Sequence, residues 1–382
     1  MKDINQQLIV GLDIPAAVGM DLAQVCTPAL IIDLDAFEAN VETLRNRLQA
    51  AGVRHRAHAK THKSVDIARY QIEHGGACGI CCQKVSEAEV MVAGGIEDVM
   101  ISNQVTDTVK IDRLAQLAQT ARILVCVDDT GNVDDLSAAA HRHGACIECL
   151  VEIDCGAGRC GVEPGAAALA LAQQTAAARG LKFAGLQAYQ GAAQHIRDFE
   201  QRRQTLDSAI AQTRDTVELL AQSGLQCDIV AGAGTGSYYF EAASSVYNEM
   251  QCGSYIFMDA DYQRVLDASG AGISEFDNSL FILTSIMSKT RVHEAVCDAG
   301  LKVMSADSGL PLVHAETDLE YTGISDEHGV IADPNNRLRL NDRLKLIPGH
   351  CDPTCNLHDW YVGVRNDRVE CLWPVSARGK VF

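Results

Sequence analysis

What most constrains the fold of this chain is an alternation: between residues 54 and 259, short apolar runs take turns with longer segments of helical period. The strand candidates are RHRAHAK (54–60), ACGICCQ (77–83), DVMISNQ (98–104), RILVCVDD (122–129), ECLVEIDCG (148–156), FAGLQAYQG (183–191), CDIVAGAG (227–234) and QCGSYIFMD (251–259). Stretches such as 85–94, 166–178 and 197–223 lie between them and are rich in Ala, Leu, Gln and Arg. A parallel strand is covered on both faces and needs a helix to carry the chain back, so this alternation predicts an α/β fold with crossover helices. Eight such strands in roughly 200 residues is the count of a (β/α)8 barrel. A doubly wound open sheet is the competing architecture.

The segment TPALIIDLDAFEANVETLRNRL (27–48) adds a strand and a helix ahead of the barrel. After about residue 279 the texture changes to LFILTSIMSK, AVCDAGLKVM, GVIADP, RLKLIPGH, WYVGVRN and RVECLWPV, short strand-like runs separated by turns. These predict a C-terminal β domain. The expected division is a barrel over 26–275 and a β domain over 276–382, with the segment 1–25 joining the latter.

Composition narrows the function. A chain of 382 residues with 32 Lys+Arg against 50 Asp+Glu carries a net charge of −18, which disfavours nucleic acid as a partner. A small anion can still be held where helix N-termini and Gly-rich loops override the global field. The 15 cysteines are odd in number and scattered, unlike a secreted disulfide framework. The opening MKDINQQLIVGLDIP lacks the apolar run of a signal peptide, and no run approaches ~20 apolar residues. The expectation is a cytoplasmic protein with mostly buried thiols and no membrane partner.

Six stretches could carry chemistry. HAKTHKS (58–64) ends the first barrel strand, where side chains face the active site of such barrels, and places Lys60 between His58 and His62. Packing there would lower the lysine pKa and suit it to Schiff-base chemistry; the alternative is a solvated surface lysine. GAGTGSYY (232–239) and CGSYIF (252–257) offer two backbone cradles for an anion at neighbouring strand ends. VEIDCGAGRCG (151–161) puts Arg159 just past a strand, able to hold a phenolate or carboxylate oxygen. QAYQGAAQHI (187–196) carries Tyr189 and, a few residues on, His195, a candidate general base. In PGHCDPTCNLHDW (348–360), His350 and Asp352 project to one side of an extended segment and suit Mg²⁺ or Mn²⁺, although Cys351, Cys355 and His358 leave a zinc site open. The Cys-x-x-Cys pairs 78/81 and 146/149 lie in apolar runs, without the turn residues of zinc knuckles.

Together these motifs resemble the pyridoxal-phosphate enzymes with the alanine-racemase-like barrel, and within them the D-threonine aldolase and D-serine dehydratase branch. The stretches CCQKVSEAE, VEIDCGAGRCGV, GTGSYYF, SDEHG and PGHCDPTCN-HDWYVGVRN carry the likeness over nearly the whole chain. The resemblance implies pyridoxal 5'-phosphate attached to Lys60, with Arg159 on its phenolic oxygen and Gln83 at the ring. It implies that Thr235, Gly236, Gly253, Ser254 and Tyr255 surround the phosphate, and that Tyr189 stands beside the cofactor. His195 matches the histidine that takes the substrate's hydroxyl proton, and His350 and Asp352 match the metal ligands. The dehydratases of this branch carry His-x-Cys and use zinc; His-x-Asp, a harder donor set, points instead to Mg²⁺, Mn²⁺ or Co²⁺. The resemblance therefore implies a lyase that breaks a carbon–carbon bond of a small D-3-hydroxy amino acid, acting as a homodimer; dehydration is the competing activity.

Overall fold

The computed structural model describes residues 8–382. The first seven residues of the segment 1–25 lie outside that range. Two nine-stranded sheets organise the molecule. The first is a barrel whose strands Arg54–His55 and Ala57–His58 are one continuous wall segment. Arg56 N–H bonds to the Met250 carbonyl on one side and Ala57 N–H to the Gly79 carbonyl on the other, which closes the barrel. Around it run the parallel strands Ile80–Cys82, Asp98–Gln104, Arg122–Val127, Ile147–Glu152, Leu181–Gln187, Ile229–Gly232 and Glu249–Met250. The open doubly wound alternative is thereby excluded.

The intervening helices begin where the sequence supplies caps. Asp107, Asp129 and Asp198 accept backbone N–H bonds at the starts of Thr108–Leu117, Thr130–His143 and Phe199–Gln222. The barrel interior is layered. Cys81, Met100, Leu124, Cys126, Leu150, Ala184, Ile229 and Ala231 form an apolar plug across its middle. Polar side chains occupy the two ends, with Arg56 ion-paired to Glu249 and Asp98 at the N-terminal end. Gln187 and Gln251 share reciprocal amide bonds of 2.8 and 2.9 Å toward the other. Such a plug is a packed core, so ligands must enter at the rim.

At one position the wall depends on glycine. The ladder shifts register beside Gly185, whose φ is +143°, and a Cβ there would lie 1.8 Å from the Ile229 carbonyl oxygen. Gly185→Ala is expected to cost more than about 2 kcal/mol, read as a lower urea midpoint at unchanged slope. An unchanged midpoint would show that the wall can yield at this position.

Two sequence expectations are corrected here. The last barrel strand is Glu249–Met250 and not 251–259; the chain leaves the wall at Gln251 and makes a 3-10 turn over Ser254–Ile256. Tyr255, Ile256 and Phe257 read as strand because they are apolar, but all three are buried, and Phe257 packs against Phe37 of helix Leu34–Ala51. The second correction concerns strand Ala29–Asp33, which the boundary at 26 assigns to the barrel. It lies in the second sheet, antiparallel to Leu280–Ser288 and parallel to Trp360–Arg365. Its alternate residues explain this: Leu30 and Ile32 join the main core, while Ala29 and Ile31 pack with Phe281, Leu283 and Val362 on the opposite face. The strand thus fastens the β domain to the barrel. Among the described residues no helix is long and apolar enough to cross a membrane, and all fifteen cysteines are free thiols.

Candidate active site

The C-terminal ends of the barrel strands open into a single cavity. Lys60, Gln83, Arg159, Tyr189, Thr235, Gly253 and Ser254, all expected from the sequence, line it. So do His58, Ser102, Gln187, Gln251 and Tyr262, which the sequence reading does not assign. Lys60 follows the first strand and its Nζ lies 3.6 Å from Asp352 Oδ2. Asp352 belongs to the turn of helix Cys351–Cys355 and also accepts a 3.3 Å bond from Ser254 Oγ. The barrel and the β domain therefore meet at one lysine–carboxylate pair.

That pair overturns the expectation of a lowered lysine pKa. Burial does pull the amine down, but the Asp352 carboxylate, helped by Tyr189, outweighs it and leaves Lys60 above its ordinary value. Burial likewise pushes Asp352 up, and Lys60 and His350 more than reverse it, so the carboxyl titrates below the usual range. His58 is the opposite case. Its burial, reinforced by the charge of Lys60, holds it well below 6.5 and keeps it neutral, with Gln83 Nε2 at 3.0 Å from its Nε2.

Arg159 stands 5.6 Å from the centre of the Tyr189 ring, with Glu152 at 3.8 Å behind it. Glu152 is fixed in turn by a 2.6 Å bond from Gln104 Nε2. At the far end of the cavity, Thr235 Oγ1 is buried with no hydrogen-bond partner. Gly253 comes so close to the first strand that a Cβ would meet Thr61 Oγ1 at 2.7 Å and the His58 carbonyl oxygen at 3.0 Å. An orphaned hydroxyl beside bare backbone suits an oxyanion, since a buried donor without an acceptor is costly. With Lys60 and an arginine over an aromatic ring lining the same cavity, these residues fit pyridoxal phosphate.

Of the expected residues, Gly236, Tyr255, His195, His350 and Asp352 are not part of the cavity wall. The Tyr255 side chain points into the core, where its hydroxyl accepts from Gln71 Nε2 at 3.0 Å. Gly236 gives its N–H to Gln194 Oε1 at 3.0 Å. His195 is on the short turn Gly191–His195, with Nδ1 2.8 Å from Asp261 Oδ2. Burial would raise Asp261, but Arg197 and His195 hold it below the usual carboxylate range.

His350 is oriented in a parallel way, its Nδ1 lying 2.8 Å from Asp307 Oδ2. A carboxylate on one imidazole nitrogen leaves the other as the ligand atom, as behind many metal-bound histidines. His350 Nε2 and the Asp352 carboxylate thus fit a hard divalent cation that completes its shell with water and substrate. The zinc alternative is not assembled. Among the described residues no three His, Cys, Asp or Glu side chains are grouped to hold a metal ion of any kind, so a cation at His350 and Asp352 would draw its other ligands from water and substrate. Cys351 and Cys355 are fully buried, and His358 Nε2 bonds the Val303 carbonyl at 2.7 Å.

The orienting acids Asp259, Asp261 and Asp307 were not singled out from sequence. Asp259 Oδ1 accepts from Tyr262 N–H and its Oδ2 from Cys351 N–H, both at 2.9 Å, and so ties the barrel rim to the loop of His350. The run MDADY after an apolar segment was its one visible signal; nothing marks Asp307.

Comparison with known proteins agrees with this layout. Residues 32–261 match the family of the alanine racemase N-terminal domain, and residues 279–364 a putative serine dehydratase domain. A 3-hydroxy-D-aspartate aldolase of Paracoccus denitrificans (strain Pd 1222) is 57% identical over 98% of this chain and 97% of its own length. A D-threonine aldolase of Arthrobacter sp. is 46% identical over 98% of this chain and 99% of its own. The crystal structure of the D-threonine aldolase from Filomicrobium marinum superposes with a TM-score of 0.94 at 48% identity, covering 96% of this chain and all of that one.

Proposed function

The chain belongs to the family of the alanine racemase N-terminal domain, and from that premise we propose that it is a pyridoxal-phosphate- and divalent-metal-dependent aldolase that cleaves 3-hydroxy-D-aspartate to glycine and glyoxylate. The observation that carries the reading is that Asp352 of the β domain lies 3.6 Å from Lys60, a residue that lines the cavity at the barrel's rim. When bound, pyridoxal phosphate supplies an electron sink for the pair released from Cα–Cβ, and a cation supplies Lewis acidity toward the β-hydroxyl. The chain's own residues do the rest. Lys60 is the amine that holds the cofactor and yields it to the substrate. Arg159 and Gln83 fix the ring, and Thr235, Gly253 and Ser254 grip the phosphate, with backbone from Gly236 and Tyr255 nearby. Tyr189 supports Arg159 from below.

His195 is the base for the β-hydroxyl. Its Nδ1 is committed to Asp261, so Nε2 is the nitrogen left to take the proton, and Asp261 steadies the imidazolium that results. His350 and Asp352 hold Mg²⁺, Mn²⁺ or Co²⁺. In this reading the enzyme works in the cytoplasm as a homodimer, with a partner's β domain covering the cavity mouth where Lys60 is 41% exposed.

The reading is tested by incubating the holoenzyme with 3-hydroxy-D-aspartate and with D-threonine, with and without a chelator. Glycine and glyoxylate from the first support it; oxaloacetate and ammonia identify a dehydratase instead. A rate on D-threonine well above that on 3-hydroxy-D-aspartate would favour the second reading, a D-threonine aldolase, to which the 46% identity of the Arthrobacter enzyme lends support. Asp352→Ala is expected to keep its cofactor yet lose about 100-fold or more in kcat, with no recovery on adding Mn²⁺. Full activity of that variant in the presence of chelator would remove the metal from the mechanism.

A further inference from the structure

The proposed substrate has a second carboxylate beyond its β-carbon, and the rim of the cavity is acidic. Asp261 backs His195, Asp307 backs His350, and Asp352 faces Lys60. A second carboxylate entering there needs a cationic side chain with donors still free. Lys60 is paired with Asp352. Arg197 is committed twice to Asp261, through Nη1 to the backbone carbonyl at 2.7 Å and through Nη2 to the carboxylate.

Arg264 also pairs with Asp261, but loosely and through Nη1 alone. It ends the turn Tyr262–Arg264, two residues beyond Tyr262 of the cavity wall. Its Nη1 reaches 3.8 Å from Asp261 Oδ1 in one direction and donates a 3.0 Å bond to the Ser308 carbonyl in the other. Ser308 follows Asp307, so the guanidinium spans the gap between the loop that orients His195 and the loop that orients His350. Gly309 makes room for it: with φ at +111° that residue carries no side chain, and a Cβ would sit 3.3 Å from both Nη atoms. Among the described residues neither Nε nor Nη2 has an acceptor, and the side chain is 44% exposed. Those two nitrogens form one edge of the guanidinium, whose parallel N–H bonds match the two oxygens of a carboxylate.

The geometry points to Arg264 as the specificity residue that reads the substrate's second carboxylate, through its Nε–Nη2 edge at the rim between His195 and His350. The inference rests on the aldolase reading above and deepens it. Substrates ending in methyl at that position leave the edge to water, so Arg264 separates dicarboxylic from monocarboxylic β-hydroxy amino acids.

The test uses the holoenzyme and two ligands that lack the β-hydroxyl and so cannot be cleaved, D-aspartate and D-alanine. In Arg264→Met, the ratio of the D-aspartate to the D-alanine dissociation constant should rise by about 30-fold, the size expected for losing one charge-assisted bidentate pair. Arg264→Lys, which keeps the charge without the fork, should show a smaller rise. The ratio of kcat/KM for 3-hydroxy-D-aspartate to that for D-threonine should fall in the same order. Equal weakening of both amino acids, or an unchanged ratio in both variants, overturns the assignment. If the wild-type holoenzyme cleaves neither hydroxy amino acid, the aldolase reading fails, while the ratio for the two uncleavable ligands still decides Arg264.

Discussion

Replacing Lys60 with alanine is expected to lower kcat by on the order of 10⁴-fold or more, with loss of the visible absorbance that a lysine-bound cofactor gives. Lys60 lies beside Asp352, so a drop in rate alone could reflect an unpaired carboxylate instead of a missing nucleophile. Lys60→Arg separates the two. It keeps a cation near Asp352 but offers no amine that can add to a carbonyl, so it should be as inactive as the alanine variant while unfolding at the wild-type denaturant midpoint. Turnover in Lys60→Arg within about tenfold of wild type would mean that the charge, not the nucleophile, is what the site requires. The Asp352 carboxylate holds the Lys60 amine above its ordinary value, so replacing Lys60 by alanine also removes that carboxylate's partner.

The second large effect is on stability, at the opposite end of the barrel. Arg56→Met should destabilise the protein by about 3–5 kcal/mol, because it strips the buried partner from Glu249 and leaves that carboxylate only the half-exposed Arg54. Arg56 and Glu249 side chains are each 1% exposed and are joined by a 2.7 Å bond from Nε to Oε1; Asp98 and the half-exposed Arg54 complete the cluster. Removing both charges should cost much less. Arg56→Met combined with Glu249→Leu is therefore expected to recover most of the lost stability, since the penalty lies in the orphaned charge and not in missing volume. The measurement is the urea midpoint of the three variants at one ionic strength. Additive losses in the double variant would show that Arg56 acts chiefly through packing of its stem.

The two predictions concern one short strand. Residues 54–60 carry Arg56 at the bottom of the barrel and Lys60 at the top, with the apolar plug around Cys81, Met100 and Leu124 between them. Period-two alternation along a strand puts Arg56 and His58 on one face, which in a closed barrel is the interior, and Lys60 lies in the turn that follows at the rim. That is why the run RHRAHAK, with too many cations for a buried strand, still reads correctly as one.

Other features were legible for similarly local reasons. Strand Asp98–Gln104 has the predicted bounds because β-branched and apolar residues stop where Val105 leads into the Asp107 cap. The cavity residues Gln83, Arg159 and Tyr189 were found because a parallel barrel puts the residues after each strand on one face. Tyr255, expected at the phosphate, instead turns into the core, where Gln71, His55 and Phe276 from distant parts of the chain hold it.

By itself the sequence determined the barrel and the β domain and pointed to a strand-end lysine, since alternation, turn residues and strand-end placement are properties of neighbours along the chain. Tertiary structure alone decided where strand Ala29–Asp33 pairs, which acids back His195 and His350, and the sign of the Lys60 shift. Each of these depends on groups far apart in the chain, such as Lys60 and Asp352, whose electrostatic coupling exists only when folding brings them within a few ångströms and excludes water.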